Sequence, residues 1–183
     1  MVHERKDGKI HEKDEARTPA SLFKILDAAY HFDIDAAANE TNALCPSFHS
    51  DKYIKGWFLP VRDRVISCLG NALSENWYKA TYFCNPPYSP GNIESFCKKS
   101  YEESLKGAVV VMLLPMDSST QWFHKYCSKA YKWIIFSPRV KFLHPSGIPF
   151  EGSPKFGSFA CVFDEAGRRS ISSPIIEFVR WKP

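Results

Sequence analysis

Residues 80–115 read "ATYFCNPPYSPGNIESFCKKSYEESLKGAVVVMLLP", and the order of patterns within them decides the fold. "ATYFC" is short, aromatic and closed by prolines, which predicts a strand. "NIESFCKKSYEESL" carries its apolar residues at helical spacing, and "GAVVVMLLP" is an unbroken apolar run of the length of a strand buried on both faces. The unit is β-loop-α-β, the building block of a parallel sheet covered by helices. Upstream, "TPASLFKILDAAYHF" predicts a helix with Thr18 as cap and Pro19 at its first position, and "HFDIDAAA" a strand ending at Asp35. Downstream, "SSTQWFHKYCSKA" predicts a serine-capped helix and "YKWIIFS" a strand. "FGSFACVF" and "IIEFVRW", on either side of "DEAGRR", predict a terminal antiparallel hairpin. The expected fold is α/β: a doubly wound, mixed sheet of Rossmann-like type with that hairpin closing one edge.

Two segments do not share this clarity. Residues 1–17 mix charges with almost no apolar side chains and are expected to form a flexible arm, leaving 18–183 as one domain. Between residues 39 and 79, Pro46, Gly56, Pro60 and Gly70 interrupt the pattern, so at most one short element is expected there, at "RVISCL".

The 183 residues, 44% hydrophobic and 15% aromatic, suffice for one domain with a real core. A formal charge of +4 permits a polyanionic partner without demanding one. Six cysteines are scattered through apolar segments with no CxxC pair and no signal peptide, which points to reduced core residues in a cytoplasmic protein. Cys45, His49 and Cys68 are too irregularly spaced for a zinc site, so no metal is expected. The apolar run "GAVVVMLLP" is too short to span a bilayer.

The NPPY turn, Asn85–Tyr88, falls immediately after a predicted strand, and ligands of open α/β sheets collect at the carboxyl ends of strands. Each proline fixes φ, lacks an N–H and restricts the residue before it, so the Asn85 amide and the Pro86 carbonyl form a rigid pair of acceptors. Such a pair suits an exocyclic amino group, taking one hydrogen each and leaving the nitrogen lone pair toward an electrophile. Tyr88 then offers a ring to a planar base swung out of a duplex. A stiff loop, or a PPY ligand for a proline-binding module, is the plainer reading; the place between strand and amphipathic helix favours chemistry.

Taken in order, "TP..LF", "FDIDAAA", "NPPYS", "VVMLLPMDSSTQWF", "PRVKFL" and "FGSFACVF" resemble the phage-type DNA N6-adenine methyltransferases of the Dam class, over Thr18 to Phe163. The resemblance implies S-adenosylmethionine as cofactor and direct in-line transfer to N6 of a flipped-out adenine in double-stranded DNA. It implies Asn85, Pro86, Pro87 and Tyr88 as catalytic residues, and Thr18, Pro19, Asp33, Asp35, Ala36 and Asn85 as the cofactor side. GATC-like sites become the first to test. The chain departs from the pattern in having "DIDAAA" where methyltransferases carry a glycine-rich turn. It also has Asn71 where an aspartate often stands, with Asp51 as a weak substitute.

DNA contacts are expected from the "SPRVKFLHPSG" and "SPKFGS" segments and the residue after the motif: Arg139, which falls on the family's arginine block, with Lys141, His144, Lys155 and Ser89. Trp122 and Phe123 are expected in the core instead. Cytosine-N4 methylation, protein-glutamine methylation and a non-catalytic DNA-binding relative are the competing readings. The intact NPPY opposes the last of these.

Overall fold

The computed structural model describes residues 12–52, 55–61, 64–152 and 155–182. Nine strands among them form one sheet in the order β3-β4-β2-β1-β5-β6-β8-β7-β9. They are β1 (Ile34–Asp35), β2 (Ser47–Phe48), β3 (Trp57–Val61), β4 (Arg64–Cys68), β5 (Thr81–Cys84), β6 (Val109–Pro115), β7 (Lys132–Ser137), β8 (Ser158–Phe163) and β9 (Ile175–Arg180). The central ladder from β4 through β2, β1 and β5 to β6 is parallel, whereas β8 runs antiparallel between β6 and β7.

Side chains of the central strands alternate between the two faces, as the two-residue period requires. Tyr82, Cys84, Val110, Met112 and Leu114 join one core, which also takes Ile93 and Cys97 of α2 (Asn92–Ser104) and Trp122 and Phe123 of α3 (Gln121–Lys125). Phe83, Val111 and Leu113 enter the other, under Leu22 and Leu26 of α1 (Ala20–Tyr30). The sheet is therefore covered on both sides, and "VVVMLLP" is unbroken because neither face of β6 meets water. Each large apolar side chain buried there contributes about 1.5–3 kcal/mol.

The β5-α2-β6 unit, the strand ending at Asp35, and Trp122 and Phe123 as core residues are as the sequence predicts. Four local expectations are corrected. Helix α1 is preceded by Pro19 at the cap with no side-chain hydrogen bond, so Thr18, buried just upstream, does not cap it. No serine caps α3: the residue at its cap is Thr120, whose hydroxyl instead donates to the Asp117 carbonyl, and the helix stops at Lys125. The terminal hairpin does not form, because both edges of β8 are already taken by β6 and β7. The residues read as its turn contain the short helix α4 (Glu165–Arg168), and the chain then crosses to pair β9 in parallel with the outer edge of β7. Finally, residues 39–79 hold three strands, not one. Pro60 masked β3, yet β3 lies at the sheet edge, where a missing ladder donor is tolerated.

Candidate active site

The NPPY turn begins where β5 ends. Strand β1 has β2 on one side and β5 on the other, so the chain reverses its direction of winding there and leaves a crevice at the carboxyl ends. Two clefts open at this end and meet at the motif. The first, of 120 Å³, is lined by Asp14 and Glu15 and runs past Ala36–Ala38, His49, Asn71 and Pro87. The second, of 340 Å³, is bounded by Asn85, Pro86, Tyr88 and the connection between β7 and β8, with the rings of Phe142, Phe150 and Phe156. Asp14 borders both.

Asn85 is held by the N-terminal segment. Its Nδ2 donates to the Ala16 carbonyl at 3.2 Å; a carbonyl only accepts, so the amide orientation is set and Oδ1 remains an acceptor with no donor among the described residues. The same segment is tied down by Ser89 N–H donating to Asp14 Oδ1 at 3.1 Å, and by a bridge in which Arg17 and Leu143 exchange backbone hydrogen bonds. Residues 12–17, the described part of the expected arm, thus lie across the motif; residues 1–11 lie outside the described residues.

Tyr88 is half-buried, and its hydroxyl donates to the Leu113 carbonyl at 2.9 Å. Its ring meets Phe142 edge-on at 6.0 Å and Phe156 at 6.1 Å. Burial of the hydroxyl pushes its pKa well above the ordinary tyrosine value, so it stays neutral and acts as a wall with one anchored end. Burial likewise pushes the Cys84 thiol well up, which removes the cysteine beside the motif as a nucleophile.

Of the residues assigned to the cofactor side, Ala36 lines the first cleft and Asn85 the second. Thr18 and Pro19 are buried and border neither. Asp33 stands at the amino end of β1, where its carboxylate accepts from Thr81 N–H at 2.9 Å, the wrong end of the sheet for a cleft ligand. Asp35 is buried, and its two oxygens accept from the Ala37 and Leu44 amides, which shapes the turn of the first cleft without entering it. Desolvation raises its pKa to about 6 against those two hydrogen bonds.

On the DNA side, Lys141 and Lys155 are exposed and border the second cleft. Arg139 is exposed two residues beyond β7 and borders neither cleft. His144 is engaged in its own turn, bonded to Ser146 at 2.9 Å with its ring against Phe150. Ser89 is occupied at the start of α2, where its hydroxyl accepts from Asn92 Nδ2 at 2.8 Å. Sequence reasoning missed Asp14, Ala16 and the three phenylalanines, whose shared signal was an aromatic recurring through residues 142–156.

Two buried acceptors bordering the first cleft have no protein partner among the described residues: Asp14 Oδ2 and His49 Nε2. His49 Nδ1 faces the Gly70 carbonyl at 3.1 Å and must carry the proton, which leaves Nε2 as the acceptor. A ligand rich in N–H and O–H donors, as an adenosine joined to an amino acid is, fits that pair. Desolvation lowers the His49 pKa to about 4, so the ring is neutral at pH 7 and its contribution to stability is lost as pH falls from 6.5 toward 4. His49→Gln has no such titration. In denaturant unfolding, the advantage of the wild type over His49→Gln should shrink by on the order of 3 kcal/mol between pH 7 and pH 4. Asp35, with its pKa raised, has the opposite dependence, losing its contribution as pH rises from about 4 through 6, and cancels in that difference.

A covered sheet of Rossmann-like type thus carries two clefts at its switch point, parted by a proline-locked asparagine. The sequence profile of the DNA N-6-adenine-methyltransferase (Dam) family matches residues 6–56 and 61–172, and the chain belongs to that family. It is 34% identical over 108 residues to the DNA N-6-adenine-methyltransferase of Escherichia phage T1, an alignment covering 58% of this chain and 37% of that protein. It is 30% identical over 138 residues to the protein of the same name from Haemophilus phage HP1, covering 73% of this chain and 68% of the other. No helix among the described residues is long and apolar enough to cross a membrane.

Proposed function

We propose that this chain transfers a methyl group from S-adenosylmethionine to N6 of adenine in double-stranded DNA, with the target base extruded into the 340 Å³ cleft. The observation that carries this reading is the Asn85 amide, turned by Ala16 so that its oxygen accepts, at the corner where the two clefts meet. The cofactor supplies an electrophilic methyl on a sulfonium centre. Asn85 Oδ1 and the Pro86 carbonyl accept the two N6 hydrogens and so aim the nitrogen lone pair away from them, and one of those protons would pass to water after transfer. Tyr88, Phe142, Phe150 and Phe156 offer ring surfaces to the base and exclude water from it. Ala36–Ala38, His49 and Asn71 hold the cofactor, and no covalent enzyme intermediate is needed.

Lys141 and Lys155 at the cleft rim meet the phosphates, with Arg139 farther along the same connection. The test is incubation of duplex DNA carrying GATC sites with methyl-labelled S-adenosylmethionine, followed by nucleoside analysis. Label in N6-methyladenine is the expected result. Label in N4-methylcytosine would reassign the substrate, and duplex binding without label would make the chain a non-catalytic relative.

A further inference from the structure

Asp14, Glu15 and Asp51 line the first cleft and Asp35 lies beside it, and the structure separates the four: Asp51 is exposed to water. Asp35 spends both oxygens on the Ala37 and Leu44 amides. Glu15 lies 3.9 Å from Lys52. Asp14 differs from these: Oδ1 is pinned by Ser89 N–H, while Oδ2 is buried with no partner among the described residues. A carboxylate oxygen withdrawn from water without a donor is costly, and the cost is relieved by a positively charged N–H group. The target adenine does not supply one, since both N6 hydrogens have acceptors in Asn85 and Pro86. A sulfonium carries charge but no N–H. The donor that remains is the α-ammonium of the cofactor.

We infer that Asp14, on the N-terminal segment, binds the α-ammonium of S-adenosylmethionine through Oδ2. The inference rests on the cofactor assignment proposed above. It has a consequence for the corner, because the backbone that carries Asp14 also carries the Ala16 carbonyl that orients Asn85.

The test is direct binding by titration calorimetry, with S-adenosylhomocysteine and its deaminated analogue, in which hydrogen replaces the amine, against wild type and Asp14→Asn. The asparagine keeps an acceptor for Ser89 N–H and removes the charge. Wild type should prefer the amine-bearing ligand by about tenfold or more. Asp14→Asn should lose most of that preference while binding the deaminated analogue within about twofold of wild type. If wild type ignores the amine, or if the variant keeps the preference, the inference is overturned. Equal losses for both ligands in the variant would also overturn it, since that is the signature of a segment that merely braces the cleft. Wild type that binds neither ligand would overturn the cofactor assignment along with it, so the two failures are distinguishable.

Discussion

Asn85→Ala lowers single-turnover methyl transfer by roughly 10²- to 10³-fold or more while leaving cofactor affinity within about twofold. The substitution removes the Asn85 acceptor at the corner and, with it, the tether from Nδ2 to Ala16. The cofactor-side cleft keeps its walls, because Pro87, not Asn85, borders it and the segment carrying Asp14 stays anchored through Ser89 N–H and the Arg17–Leu143 bridge. Rapid-quench transfer at saturating cofactor, beside a binding titration, separates the two quantities. Asn85→Asp sharpens the result. It keeps an acceptor but presents no donor to the Ala16 carbonyl, so transfer should be intermediate and the N-terminal segment should become more protease-sensitive. A full rate in Asn85→Ala would remove this residue from the chemistry.

Tyr88→Ala should cost about 1–3 kcal/mol of productive base binding, since the ring is both a wall of the base cleft and the support against which Phe142 and Phe156 rest. Because the three rings pack together, the rate at fixed DNA concentration should fall by more than loss of one stacking surface implies. Tyr88→Phe keeps the ring and removes the hydroxyl that donates to the Leu113 carbonyl, a loss of about 1 kcal/mol in stability with little change in transfer. Equilibrium unfolding and transfer kinetics on the two variants should therefore order them oppositely in kind: one a substrate-binding defect, the other a small stability defect. Equal transfer by Tyr88→Ala and wild type would exclude a base-contacting role.

What was legible in the chain was local. The strand, proline corner, helix and buried strand of residues 80–115 announce themselves through periodicity, and the corner's place at a strand end follows from their order alone. What escaped was whatever depended on residues far apart meeting. Nothing near Asp14 or Ala16 indicates that they lie on the motif more than sixty residues away; the hydrogen bonds to Asn85 and Ser89 exist only once the sheet is assembled. Asp33 and Asp35 look equivalent as sequence, yet two residues along a strand separate the amino end from the carboxyl end, and only tertiary pairing with Thr81 exposed the difference. The terminal hairpin failed for a comparable reason. Local pattern identifies two adjacent strands, but which neighbours they pair with is decided by edges already occupied elsewhere in the sheet.

The two clefts share a stiff partition and the segment at Asp14, but draw most of their other walls from different parts of the chain: the early loops on one side, the excursion between β7 and β8 on the other. On the proposed placement of the DNA contacts, drift in that excursion retunes which duplex sequence is accepted without disturbing the reacting distance. A lineage of such enzymes is free to diversify its targets while inheriting one unchanged reaction.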